Sequence, residues 1–432
     1  MDARAARAAR AALDGPFDPW SPAFVADPYP AYAALRAAGR VHYYEPSDQY
    51  LIPHHADVAA LLRDRRLGRT YLHRYSHEEF GRPAPPPEHE PFHVLNDNGM
   101  LDLEAPAHTR IRRLVAKAFT PRTVERLRPY VEGLADELVR GLVADGGGDL
   151  VARVAEPLPV AVIAEMLGIP EADRGSLRPW SADICGMYEL NPGEETAARA
   201  VRASVEFSAY LRELIAARRK EPGEDLISAL IAAYDENEEV RPEGPLWKGG
   251  GGRRAGRLSE QEMISTCVLL LNAGHEATVN STANGWNALF SHPEQLAALR
   301  AEPERLLPTA VEELLRFDTP LQLFERWVLD DIEVGGARIP RGSEVALLFG
   351  SANRDPAAFA APDTLDLARA DNPHISFSAG IHYCIGAPLA RIELAASLGA
   401  LLRRAPDLRL AAEPTRKQNF VIRGLGELLV EC

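Results

Sequence analysis

Cysteine is scarce in this 432-residue chain: Cys185, Cys267, Cys384 and Cys432 are widely spaced, and no two form a CxxC pair. Such spacing excludes a disulfide framework and points to a reduced, cytoplasmic protein. Long apolar runs are missing too. A membrane span needs about 20 apolar residues, and Cys267-Val268-Leu269-Leu270-Leu271 is the strongest run present. No apolar signal core follows Met1-Asp2-Ala3-Arg4. No membrane partner is therefore expected. Excess positive charge is absent as well; the formal charge of −14 argues against a nucleic-acid partner. A nucleotide-binding loop is also lacking. Gly250, Gly252 and Ala255 loosely fit a GxGxxA pattern, but no strand precedes them and no Gly-Lys-Ser/Thr is present. Residues 241–258 read instead as a flexible Gly-rich loop. Nothing else offers a nicotinamide or flavin site, so any electrons come from outside.

What the chain does have is mostly helical periodicity. Residues 1–20 are Ala/Arg-rich and then broken by prolines, which predicts a flexible N-terminal segment. Tyr29 to Ala38 and Ala56 to Arg63 read as helices, with Val41–Tyr44 and Gln49–Ile52 as a hairpin between them. Residues 80–95, with three consecutive prolines, predict a long irregular loop. His73, His77, His89 and His93 lie in or near it without the spacing of a metal site. From 123 to 235 the pattern is nearly all helical, broken at Gly146-Gly147-Gly148, Gly168-Ile169-Pro170 and Asn191-Pro192-Gly193. Residues 327–350 read as short strands. Length alone would suggest about three domains at roughly 150 residues each.

Four stretches carry chemistry. His108 to Phe119 predicts a helix with His108 and Arg112 on one face and Arg110, Arg113 and Lys117 on another. That is either a solvated basic face, or one face paired with buried carboxylates and one meeting an acidic partner. Ser259 with Glu262 makes a capping box that opens a helix to about Phe290. About 30 helical residues span roughly 45 Å, the width of a domain. Its middle reads Asn272-Ala273-Gly274-His275-Glu276-Ala277-Thr278, where a solvated patch is the plain reading and a local opening of the helix is the alternative. Glu313 and Arg316 lie three apart on one helix face, an arrangement that many surface helices share. Finally, Phe377-Ser378-Ala379-Gly380-Ile381-His382-Tyr383-Cys384-Ile385-Gly386 runs directly into a helix beginning near Pro388. A thiol ahead of a helix sees free N–H groups and the positive dipole end, which lowers its pKa and favours the metal-binding thiolate.

The last stretch resembles the haem-thiolate loop of the cytochrome P-450 family, with Ser378 where the family usually has glycine. The central helix is similar to the family's oxygen-binding groove, Ala/Gly-Gly-x-Asp/Glu-Thr-Thr, with Ala277 in place of the first threonine. The resemblance runs from about residue 20 to the end. It implies a mainly α fold with a small β-rich lobe and a long central helix over haem b (iron protoporphyrin IX), built as one domain over 21–432.

The resemblance further implies an enzyme, a soluble bacterial-type monooxygenase acting on O2 and a small, largely apolar substrate. Cys384 would be the axial iron ligand, within a loop framed by Phe377 and Gly386. His108, Arg112, Arg326 and His382 would neutralise the propionates. Glu276, with ordered water and Thr278, would relay protons past Ala277. Glu313 and Arg316 would be a buried structural pair. Thr364-Leu365 stands where Arg-Phe usually follows Pro-Asp, leaving the third member of that ion-pair network unassigned. By position, Leu269, Asn272, Ala273, Leu323 and Phe420 would line the pocket. A ferredoxin-type donor with its reductase would dock on Arg110, Arg113, Lys117 and Arg403. Ala277 raises the alternative of substrate-assisted or non-hydroxylating oxidation. A non-catalytic haem-binding recruitment protein and a cysteine-nucleophile hydrolase using His382 are rivals from other classes. The second lacks an orienting acid and an oxyanion motif.

Overall fold

The computed structural model describes residues 17–190, 192–233 and 257–432. The expected Gly-rich loop lies outside the described residues except for its last two positions, as does the N-terminal segment up to residue 16. Phe17, the first residue described, is buried edge-on against Phe24 and Tyr44, with ring centroids 5.3 and 5.1 Å away.

The central helix, Glu260–Ser291, organises the α region. The expected capping box forms: Ser259 Oγ accepts the Glu262 N–H at 3.1 Å, and Glu262 Oε2 accepts the Ser259 N–H at 2.8 Å. Helices Pro121–Ala144, Pro157–Leu167, Leu177–Cys185, Glu194–Lys220, Pro303–Phe317 and Ala387–Arg404 share one apolar core with it. Trp286 is fully buried in that core. Gly274 does not open the helix, which is continuous across it. A Cβ there would sit 2.9 Å from Ile163 Cδ1, so the glycine serves close packing against Pro157–Leu167 instead.

The β lobe is a five-stranded sheet. In chain order its strands are β1 (His42–Tyr44), β2 (Gln49–Ile52), β3 (Leu67–Gly68), β4 (Leu323–Val328) and β5 (Glu344–Leu348). They lie in the order β1-β2-β5-β4-β3, with β2 and β5 parallel and the other pairs antiparallel. Ile52, Val58, Val345 and Leu347 form its core.

Two stretches differ from the sequence reading. Within the expected irregular loop, Glu90–Asp97 is a helix. Pro91 lies in its first turn, where a missing N–H costs little, and Phe92 and Leu95 are buried. His77 is bonded to Tyr71 there, and His93 lies 3.9 Å from Asp97. The glycine break at 146–148 contributes the strand Gly147–Asp149, which pairs with Leu429–Glu431 near the other end of the chain.

Candidate active site

The Cys384 loop is held by its own backbone. Cys384 N–H donates to the Phe377 carbonyl at 3.0 Å, and Ser378 N–H to Ile375 at 2.8 Å. Gly380 is left-handed, φ 70°, and a Cβ would collide with the Leu62 carbonyl. Ser378 is also left-handed, φ 62°, a conformation that suits the glycine usual there and strains a serine. The Arg391 guanidinium covers the Phe377 ring at 4.5 Å and forks onto Glu312 at 2.6 and 2.7 Å.

Opposing influences act on the Cys384 thiol. Backbone N–H groups of Gly386 and Ala387 point at the sulfur, and Arg112 and Arg391 add positive charge. Burial nevertheless outweighs them and pushes the thiol above its ordinary pKa. The donors that would stabilise a thiolate are nonetheless in place around the sulfur.

Beside the loop, the expected propionate partners come together. His108, on helix Ala107–Ala118, packs its ring 4.6 Å from that of His382. Arg112, one turn on, donates to the Tyr383 carbonyl at 2.6 Å and faces Cys384. Arg326, on β4, is buried. Among the described residues neither ring nitrogen of His108, nor Nη2 of Arg326, has a hydrogen-bond partner. Burial, then neighbouring cations, lowers His108 to about 4. Burial, then Arg69, lowers Arg326 to about 9. Buried polar groups without a partner are costly, and the oxygens of a dianionic group beside them would remove that cost. These residues fit the propionates of haem b.

The sequence reading missed several neighbours. Arg69 stacks on the Phe324 ring at 4.6 Å, opposite Arg326 at 4.5 Å. Glu104 accepts from His382 at 3.3 Å and from the Arg69 N–H at 2.7 Å. Glu313 accepts from Arg316 at 2.7 and 2.8 Å and from Arg369 at 3.0 Å, with Glu313 and Arg316 fully buried. Arg369 is thus the missing third member of the ion-pair network.

On the central helix most residues are buried, but Leu269, Glu276 and Ala277 are partly exposed and Ala273 is exposed. This strip faces open space. Glu276 lies 3.7 Å from Lys417 and 3.8 Å from His275. Thr278 is off the strip and buried, beside Glu393 on the helix that follows Cys384. Burial raises Glu393 to about 8, so it holds its proton at neutral pH. Leu323 and Phe420 meet in the aromatic cluster around Phe17 and Phe24. Arg110 corrects the expected docking face, since it is buried in an ion pair with Glu262, while Arg113, Lys117 and Arg403 are exposed.

A cysteine at a helix start, beside a cationic pocket and behind a long helix with an open apolar strip, defines a haem-thiolate protein. A profile described as cytochrome P450 matches residues 190–405. The chain is 40% identical over 414 residues to the cytochrome P450 monooxygenase PikC of Streptomyces venezuelae, covering 94% of this chain and 91% of that one. It is 41% identical to nocardicin C N-oxygenase of Nocardia uniformis subsp. tsuyamanensis, with 94% and 95% coverage. The crystal structure of P450BioI with an acyl carrier protein superposes with a TM-score of 0.85 at 33% identity, covering 95% of this chain and 100% of that one.

The chain belongs to the cytochrome P450 family. It is an oxidoreductase of the monooxygenase class with haem b as its cofactor. No described helix is long and apolar enough to cross a membrane.

Proposed function

We propose that the chain oxygenates a small, largely apolar organic molecule of secondary metabolism or catabolism, using electrons from a separate ferredoxin and its reductase. The observation that carries this reading is the pair of buried side chains near the Cys384 loop, His108 and Arg326, whose ring nitrogens and Nη2 have no hydrogen-bond partner among the described residues. A relative named for nocardicin C supports a secondary-metabolite substrate.

Thiolate-ligated haem supplies dioxygen activation. The chain's residues do the rest. Arg112, Arg391 and the N–H groups of Gly386 and Ala387 offset the sulfur's charge. His108, Arg112, His382 and Arg326 hold the propionates. Leu269 and Ala273 exclude water and seat the substrate. Glu276 carries the exchangeable proton on the open side, with its carboxylate oriented by Lys417. Electrons enter near the Cys384 loop, where Ile381 and Tyr383 are exposed, with Arg113 and Lys117 exposed on helix Ala107–Ala118.

A second reading concerns proton delivery. Thr278 is buried off the open strip beside Glu393, and the strip at Leu269, Ala273 and Ala277 carries no hydroxyl of its own. The substrate then supplies the hydroxyl beside Glu276. Installing Ala277→Thr and measuring product per NADPH tests this. Substrate assistance predicts a gain in coupling only for substrates lacking a hydroxyl; a uniform gain with every substrate refutes it. The broader reading is tested by the carbon-monoxide difference spectrum of the reduced holoprotein, with Cys384→Ser as control. Absence of a thiolate-type band in the unsubstituted protein refutes it.

A further inference from the structure

Asn272 is the polar exception in an apolar stretch of the central helix. It follows Leu269-Leu270-Leu271 and is 2% exposed. A buried carboxamide without hydrogen bonds is costly. Neither Oδ1 nor Nδ2 of Asn272 has a hydrogen-bond partner among the described residues. A leucine at this place would continue the preceding pattern without that cost.

Its position shows where the amide is available. Successive helix residues rotate by about 100°. Asn272 therefore lies one turn before Glu276 on the same face, at the edge of the open strip formed by Leu269, Ala273 and Ala277. Tyr188 adjoins it from the segment after Leu177–Cys185, its phenol near the carboxamide but outside hydrogen-bond geometry. The Tyr188 phenol donates to Asn96 Oδ1 at 3.1 Å, and Asn96 Nδ2 donates to the Phe92 carbonyl at 2.8 Å. The phenol proton is thus committed, but its oxygen keeps acceptor capacity.

Charge in the neighbourhood is already balanced. Arg69 and Asp102 both act on the Tyr188 phenol, and they form an ion pair of 2.8 Å with side chains 17% and 19% exposed. An ammonium arriving here would find Asp102 neutralised, and a carboxylate would find Arg69 occupied. Either would be desolvated without a free counter-ion. A neutral group has no such penalty.

We propose that Asn272 and Tyr188 form a recognition site for an uncharged hydrogen-bonding group, a hydroxyl or carbonyl, borne on the apolar skeleton of the substrate. Asn272 Nδ2 donates to it, and Oδ1 or the phenol oxygen accepts from it when it is a hydroxyl. One turn of helix is about 5.4 Å, so this contact sets which part of the skeleton lies beside Glu276. The inference deepens the oxygenase reading of the site and rests on it.

Azole ligands test the two separately, because their nitrogen binds haem iron whatever the natural substrate is. The holoprotein is titrated with phenylimidazole and with its three hydroxyphenyl isomers, and affinity is read from the absorption spectrum. The unsubstituted protein is expected to prefer at least one hydroxyphenyl isomer by about three- to tenfold, the range of one neutral hydrogen bond. Asn272→Leu should abolish that preference while leaving phenylimidazole affinity within about twofold. Asn272→Ala, which needs no extra volume, should do the same if the leucine variant fails to load haem. A preference that survives both substitutions, or no preference in the unsubstituted protein, overturns the inference and leaves the haem-thiolate reading standing. A holoprotein whose spectrum answers to no imidazole overturns the haem-thiolate reading, and the inference with it.

Discussion

The Glu313 carboxylate allows the sharpest forecast. It is fully buried and accepts five distinct donors: Arg316 Nε at 2.8 Å, Arg316 Nη2 at 2.7 Å, Arg369 Nε at 3.0 Å, the Asp366 N–H at 3.0 Å and Asn372 Nδ2 at 3.2 Å. Both arginines then donate onward to carbonyls, Arg316 to Asn353 and Pro362, and Arg369 to Ala360. Asn353 carries the connection to the cysteine loop, because its Nδ2 donates to Ser376 Oγ and its Oδ1 accepts the Ile375 N–H.

Glu313→Gln preserves the shape but leaves two desolvated guanidinium groups without a counter-ion, and breaking a buried pair costs about 3–5 kcal/mol. Arg369→Lys keeps the charge and loses the planar fork, which costs about 1.5–3 kcal/mol. Urea unfolding of the holoprotein, followed by far-ultraviolet dichroism and by the thiolate absorption band, separates two events. The thiolate band of Arg369→Lys should disappear at lower urea than the helix signal, because the substitution loosens the segment leading to Cys384 and spares the bundle. A Glu313→Gln protein within about 1 kcal/mol of the unsubstituted one refutes the reasoning.

Other outcomes follow from single residues. Ser378→Gly removes a left-handed serine whose Oγ has no partner among the described residues. Strain relief of about 1–2 kcal/mol against an unfolded-state cost of 0.4–1 leaves a gain of about 0.5–1 kcal/mol, measurable in urea; a loss of stability would contradict this. Glu344 is pushed up to about 8 by burial and then by Glu325, with Gln49 bridging the two carboxylates at 2.8 and 3.1 Å. Its folded pKa lies above its unfolded value, so its stability contribution is complete below the unfolded pKa of 4.5 and is lost as pH rises through about 8. Glu344→Gln should therefore stabilise by about 3 kcal/mol near pH 7 and by nothing near pH 4, as read from urea midpoints; equal effects at both would be inconsistent with the shift. Arg113→Glu with Lys117→Glu should raise the KM for ferredoxin about tenfold at low salt and much less at high salt, with ligand affinity unchanged. A salt-independent effect would argue against electrostatic docking.

The residues that were legible in the sequence are those whose function is local. Ser259 and Glu262 sit three apart and cap the central helix as expected, and the glycines and cysteine of the 377–386 loop act within ten residues of one another. The residues that were missed act through the fold. Arg369 replaces an arginine expected immediately after Pro362-Asp363, and only the path of the loop shows that it reaches Glu313. Glu393 looks like one polar position of an amphipathic helix, and only its burial in the fold, which raises its pKa, sets it apart. Arg110 reads as a surface cation because its partner, Glu262, lies 152 positions away. The strand at Gly147–Asp149 was hidden because glycine signals a turn, whereas here Gly147 and Gly148 take φ values of 132° and 136° against a partner strand near the other end of the chain.

The parallel pairing of β2 with β5 also sets a clock. Gln49 and Glu344 lie 295 residues apart in sequence and side by side in the sheet. At about 5–20 residues per second of synthesis, the two strands emerge roughly 15–60 s apart. Throughout that interval Tyr50, Leu51 and Ile52, all buried in the finished lobe, have only one of their two strand partners, the short β1. The half of the molecule that contributes Arg326 thus takes shape late, after most of the helices have been made. Expression at lower temperature, or with chaperones that shield apolar strands, should act on this delay, and the yield of haem-loaded protein reports whether it does.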